Sequence, residues 1–163
     1  MPKNEGKRFE EDFKKSCDNT DGVFFYRIKD GSASWGGNEL TRFQAKNDFD
    51  NFIFSIYGLC LLELKSTLGK SLPLGNIKQN QIDGLAKAAN KNIDKLYAGF
   101  IINYRDCEET YYISIQQFNE FKNTTDRKSI PIDFCRANGL CLQSKKLKVR
   151  YRYNINEFIK TIK

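Results

Sequence analysis

Two apolar runs stand back to back in this chain, at 52–57 and 59–64, and meet at Tyr57-Gly58. Runs this short, rich in Ile, Phe and Leu and broken by a glycine, read as the two arms of a β-hairpin. The second arm ends in Glu63-Leu64-Lys65. Side chains two apart on a strand share a face, so Glu63 and Lys65 project together while Leu62 and Leu64 project the other way. Charges at the end of an apolar strand are costly unless they are paired, hydrated or bound to a metal. Asp50 opens the first arm, and a hairpin returns the end of its second arm to the start of its first. Two carboxylates and a lysine therefore gather at one rim of a sheet, a set suited to holding Mg²⁺ against a phosphodiester. An isolated Glu-x-Lys on a strand is more often a surface pair worth about 0.2–1 kcal/mol, so the spacing alone leaves both readings open.

Composition narrows the chemistry. The 163 residues contain no histidine, which excludes Ser-His-Asp and Cys-His triads and any nuclease with a histidine base or ligand. The cysteines (17, 60, 107, 135 and 141) are scattered, with no Cys-x-x-Cys pair. Zinc is therefore not expected, and the thiols are expected reduced and mostly buried. If the chain is an enzyme, carboxylates, lysine and a metal ion must carry the reaction. A 40% hydrophobic content over this length suits a single domain, 1–163, with a real core. There is no apolar run of membrane-spanning length, and the polar start Met-Pro-Lys-Asn-Glu-Gly-Lys-Arg leads into no apolar signal segment. A cytoplasmic protein with no membrane partner is expected.

The net charge of +7 is unevenly spread, because residues 127–163 hold 10 basic against 2 acidic residues. Such asymmetry points to a polyanion, with nucleic acid first. Within this basic C-terminal part, 146–153 alternates. Lys146, Lys148, Arg150 and Arg152 fall on one face of an expected strand, and Leu147, Val149, Tyr151 and Tyr153 on the other. Cations at two-residue spacing can follow a phosphate backbone without reading sequence; a solvated strand face is the alternative.

The remaining elements follow from periodicity. Residues 7–18 read as a helix with Phe9, Phe13 and Cys17 in one apolar row and Glu10 at its edge, either reaching into a site or solvated. A strand is expected at 22–28. After it, 29–49 forms a Gly/Ser-rich loop carrying Trp35, Arg42, Phe43 and Lys46, a mix suited to nucleic acid contact or to a plain surface loop. Residues 66–75, with Lys70, form a connector. A helix is expected over 76–96, capped by Asn76, with Gln81 facing inwards on the row Ile77–Gln81–Leu85. A buried amide needs partners, which a site lined by metal, water and phosphate would supply. Strands are expected at 97–103 and 110–115, short helices at 116–122 and before Gly139, and a closing helix at 154–162. The order gives a mixed α/β sheet flanked by helices.

These residues resemble the PD-(D/E)xK nuclease superfamily and, within it, the RecU-type Holliday junction resolvases, phage versions included. Gly6-Lys-Arg-Phe-Glu10 is similar to the family's opening helix motif. Asp50 precedes Glu63-Leu64-Lys65 by the RecU-type interval. Asn76-Ile-Lys-Gln-Asn-Gln81-Ile resembles the following helix start, and Ser129-Ile-Pro-Ile-Asp-Phe with Asn138-Gly139 echoes the C-terminal part. Two departures stand out: Leu61 replaces a frequent acid, and the stalk-like insertion at 29–49 is shorter. The resemblance implies a restriction-endonuclease-like fold and a homodimeric, metal-dependent endonuclease of recombination and repair. It would act on branched DNA and leave 5′-phosphate ends. It implies that Asp50, Glu63 and the Leu64 carbonyl hold Mg²⁺ or Mn²⁺, with Glu10 a further ligand. Lys65 would orient or deprotonate the attacking water or stabilise developing charge, and Gln81 would position water or phosphate. Arg42, Lys46, Lys70, Lys146, Lys148, Arg150 and Arg152 are the expected DNA contacts. A restriction- or repair-type duplex endonuclease, or a non-catalytic DNA-binding protein of the same fold, are the competing expectations.

Overall fold

The computed structural model describes residues 5–29 and 47–162. A six-stranded mixed sheet forms its centre. Its strands are β1 (Val23–Arg27), β2 (Asn51–Ser55), β3 (Gly58–Thr67), β5 (Leu96–Tyr104), β6 (Glu109–Ser114) and β8 (Leu140–Cys141), in that spatial order. The β3–β5 pair is parallel and the other neighbours are antiparallel. The parallel pair requires a crossover, supplied by α2 (Gln79–Ala89). The short strands β4 (Ser71–Pro73) and β7 (Ser129–Pro131) pair in a separate two-stranded sheet inside what the sequence reads as connectors.

Each face of the sheet buries its own core. On one side α1 (Glu5–Asp18) and α5 (Ile155–Thr161) pack Phe9, Phe13, Cys17, Phe158 and Ile159 over Ile53, Cys60, Leu62, Leu64 and Ile101. On the other, α2, α3 (Ile115–Thr124) and α4 (Ile132–Asn138) cover Leu61, Phe100, Ile102 and Ile113 with Leu85, Phe118 and Ile132. Each such buried Phe, Leu or Ile contributes roughly 1.5–3 kcal/mol. The expected row Phe9–Phe13–Cys17 is the buried stripe of α1, and Asp12 and Ser16 lie on the same stripe, also buried. No described helix is long and apolar enough to cross a membrane.

The hairpin forms as its two apolar runs imply, with Ile56 and Tyr57 as turn residues and Ser55 opposite Gly58. Gly58 has φ +134°, and a Cβ there would lie 2.1 Å from the Lys95 carbonyl oxygen. The same carbonyl accepts from Leu59 N at 2.8 Å. Only glycine lets the start of β3 approach the lead-in to β5 this closely.

Two expected elements are corrected. The helix expected over 76–96 is confined to Gln79–Ala89, with Lys78 in place of Asn76 as its N-cap. Asn92 and Lys95 take positive φ, Ile93 is exposed, and β5 begins at Leu96. The single basic strand expected at 146–153 is a hairpin of β9 (Ser144–Leu147) and β10 (Arg150–Tyr153). Lys148, at φ +45°, lies in its turn. The chain reverses there without the glycine or asparagine that advertises such a turn.

Candidate metal and nuclease site

The register of the β2–β3 hairpin places the acids. Asn51 pairs with Leu62, so one further step sets Asp50 opposite Glu63. The Ile28 N–H donates to the Asp50 carbonyl at 2.8 Å and continues the β1–β2 ladder to the same residue. β2 begins at Asn51, so its paired register with β3 stops at Leu62, one residue short of Glu63. Leu62 and Leu64 turn into the α1-side core, whereas Glu63 and Lys65 turn towards α2.

Gln81, on the first turn of α2, ties this corner together. Its Nε2 donates to Glu63 Oε1 at 2.6 Å, and its Oε1 accepts from Lys65 Nζ at 3.1 Å and from Lys78 N at 3.2 Å. Lys65 Nζ also lies 2.8 Å from Glu63 Oε1. The amide orientation follows from these partners, because a flipped amide would set NH₂ against two donors. Glu63 Oε1 thus has two donors. Glu63 Oε2 is buried and has no hydrogen-bond partner.

Burial pushes the Glu63 carboxyl up to about 7. Lys65 pulls it down by charge and hydrogen bond, while Asp50 pushes it up by like charge and by accepting a hydrogen bond from the protonated form. A buried carboxylate oxygen with no donor, faced by a second carboxylate, is a place where a cation removes the conflict. The donor set fits a hard divalent ion, because it is all oxygen and offers no thiol or imidazole. Asp50 and Glu63 would hold such an ion. Leu64, between the two site residues of β3, could add only its backbone carbonyl, since its side chain belongs to the opposite core.

Glu10 is elsewhere. Its carboxylate pairs with Arg27 at the end of β1, and α1 packs on the sheet face opposite α2. Among the described residues, no three His, Cys, Asp or Glu side chains gather into a metal-binding group. Glu10 is therefore not a third acid beside Asp50 and Glu63 in this arrangement. Its position at the edge of α1's apolar row brings it to a guanidinium instead.

The sequence profile of the Recombination protein U family matches residues 43–157. That span begins before Asp50, runs through the β3–α2 corner and ends in α5. The chain belongs to the Recombination protein U family. The SPbeta prophage-derived uncharacterized protein YotM of Bacillus subtilis (strain 168) is 34% identical over 171 residues, covering 94% of this RecU-family chain and 84% of the relative. The structure of Archaeoglobus fulgidus Hjc, a Holliday junction resolvase from an archaeal hyperthermophile, matches with a TM-score of 0.50 at 15% identity. That match covers 83% of this chain and 94% of that one. At such identity the likeness is one of fold, and it agrees with the mixed sheet flanked by helices read from the sequence.

The basic residues of the RecU-family chain divide. Arg150 Nε lies 2.7 Å from Asp12 Oδ1 and its NH2 donates to Glu11 at 2.8 Å; Arg152 NH1 is 3.8 Å from Asp12 Oδ1. Lys146 pairs with Glu108. Three of the four cations expected as a phosphate-tracking stripe are thus engaged by acids of α1 and of the β5–β6 turn. The physical reason is the hairpin, which lays β10 along α1 and its buried Asp12. Lys148 is exposed in the hairpin turn, and Lys70 is exposed in the bend between β3 and β4. Arg42 and Lys46, with most of the stalk-like segment 29–49, lie outside the described residues.

Sequence reasoning missed Asp12, although it lies three residues after Phe9 on the buried stripe, which was a readable signal. Its Oδ2 accepts from Tyr151 N at 3.1 Å, and Ser16 Oγ accepts from Tyr153 N at 2.9 Å, so α1 closes the free edge of β10.

Proposed function

We propose that this chain is a homodimeric, divalent-metal-dependent endonuclease of recombination that cleaves four-way DNA junctions. The observation that carries the reading is the buried, donorless Oε2 of Glu63 beside Asp50. Its sister oxygen is held by Lys65 and Gln81, which leaves Oε2 available to a cation. A divalent ion bound there would lower the pKa of a water, polarise the scissile phosphate and offset charge on the leaving oxygen.

The protein's own groups do the rest. Gln81 fixes the Glu63 rotamer and the Lys65 ammonium at once. Lys65 spends donors on Glu63 and Gln81, and an ammonium has three. The remaining one can meet a non-bridging phosphate oxygen or hold a water, and as a donor it supports the electrostatic role. The buried surround keeps these groups from relaxing as charge develops. A two-fold homodimer matches a two-fold substrate cut on paired strands, and Lys70 and Lys148 remain candidate phosphate contacts.

A synthetic four-way junction with Mg²⁺ tests this. Cleavage is expected from the intact protein, leaving 5′-phosphates, and is expected to vanish in Asp50→Asn and Lys65→Ala while junction binding persists. Equal cleavage of linear duplex would reject junction selectivity, and binding without cleavage under Mg²⁺ or Mn²⁺ would reject the nuclease reading.

A further inference from the structure

Asp50 is the ligand with the least obvious support, since it precedes β2 and its side chain is only half-buried. What holds the segment before it is α2. Asn80 Nδ2 donates to the Asn47 carbonyl at 2.8 Å. One turn further on, Gly84 is buried against Asp48, where an added Cβ would lie 2.3 Å from Asp48 Cβ, 2.7 Å from its carbonyl oxygen and 2.8 Å from its Cα. Two of those atoms are backbone, so the clash cannot be relieved by rotating a side chain. A glycine inside a helix costs about 1 kcal/mol relative to alanine. At this position that cost allows a strand lead-in to cross the helix in backbone contact.

The same helix carries Gln81, which holds Glu63 and Lys65 from the other side. One rigid element therefore sets both carboxylates: Gln81 fixes Glu63 directly, and Asn80 and Gly84 fix the chain three and two residues ahead of Asp50. We propose that Gly84, assisted by Asn80, is a positioning residue for the Asp50 carboxylate, so that α2 sets the spacing of the two metal ligands. The proposal rests on the reading of Asp50 and Glu63 as a metal pair. Gly84 acts through Asp48 and not by contact with metal or DNA.

Mn²⁺ binding to the full-length protein without DNA, followed by calorimetry, tests it alongside junction cleavage and far-UV circular dichroism. Gly84→Ala is expected to keep the folded spectrum and weaken Mn²⁺ about tenfold, the lower range for loss of an outer support of a metal site. It should also lower kcat with little change in KM for the junction. Gly6→Ala, a helical glycine with no atom within 4 Å of an added Cβ, is the control and should leave Mn²⁺ affinity unchanged. Asn80→Ala, which removes one hydrogen bond and adds no bulk, should weaken Mn²⁺ in the same direction and serves if Gly84→Ala does not fold. Wild-type Mn²⁺ affinity in the folded Gly84→Ala variant, or in Asn80→Ala if only that variant folds, overturns the proposal, provided Asp50→Asn does lose Mn²⁺. If Asp50→Asn also binds Mn²⁺ normally, the metal pair itself is wrong and the positioning role goes with it.

Discussion

Gln81 Nε2 and Glu63 Oε1 are 2.6 Å apart across 18 residues of chain, and this bond decides which oxygen of Glu63 is left for other work. It is buried, and both partners belong to rigid elements, α2 and β3. Gln81→Ala would remove a donor from Glu63 and an acceptor from Lys65 together. Leaving a buried group unsatisfied costs about 1–3 kcal/mol, so a loss of that size is expected in denaturant unfolding, with a fall in junction cleavage. Gln81→Glu should lose cleavage as well, because it sets a third carboxylate against Glu63 and forfeits the N–H donor. Wild-type turnover in either variant would remove Gln81 from the site.

The pH dependence of stability follows from Glu63. Its carboxyl sits at about 7 in the folded chain against 4.5 unperturbed. Below the lower value the group is protonated in both states and exerts no effect. Between them the folded state binds more protons than the unfolded one, so stability falls as pH rises. The full difference corresponds to roughly 3 kcal/mol. Without divalent ion, the wild type should therefore lose stability relative to Glu63→Gln on going from pH 4.5 to pH 7.5, as read by urea midpoints. Parallel pH profiles for the two proteins would show that Glu63 carries no such strain.

Much of this site was legible because it obeys short-range periodicity. Strand alternation put Glu63 and Lys65 on one face, and helical spacing put Gln81 on the inward row with Ile77 and Leu85. The interval from Asp50 to Glu63 is that of a hairpin with a two-residue turn. What failed was set by tertiary contacts or by turns without a turn residue. Lys146–Arg152 alternates as one strand would, yet it folds back at Lys148-Val149, and Arg150 meets Glu11 across 139 residues. Nothing local to either residue announces that pair. Glu10 is similar, since its position on α1 was readable but the identity of its neighbour, Arg27, was not. The early end of α2 was signalled by Asn90 and Asn92, residues that readily leave the helix, and was overridden by the apolar spacing of Ile93 and Leu96.

Arg150 tests the division between structural and DNA-contacting cations. Asp12 is 1% exposed, and with Arg150 removed it would keep the Tyr151 N–H and a more distant Arg152. Breaking a buried ion pair by removing one partner costs about 3–5 kcal/mol; Arg150 is partly exposed, so the lower end is expected. For a chain of this size that corresponds to a fall in Tm on the order of 10 °C. Lys148→Ala should instead leave Tm unchanged and flatten the salt dependence of junction binding by about one counterion. The reverse pattern, with Arg150→Ala stable but weak on DNA, would restore the basic stripe on β10.

Uptake of a divalent ion should be linked to proton release at the same carboxyl. An ion shared by Asp50 and Glu63 requires Glu63 to be ionised, whereas burial pushes its carboxyl up to about 7. Mn²⁺ affinity should therefore rise between pH 6 and pH 8, approaching one proton released per ion at the acid end. Calorimetric titrations in two buffers of different ionisation enthalpy measure that number directly. Glu63→Gln should abolish the release together with most of the affinity. In Gly84→Ala, where Glu63 keeps its Gln81 and Lys65 contacts, the affinity should drop while the proton count stays as in the wild type. A proton count of zero in the wild type at pH 6 would mean that the ion sits elsewhere or that Glu63 is already ionised, and the shared-ligand account of the two carboxylates would fall.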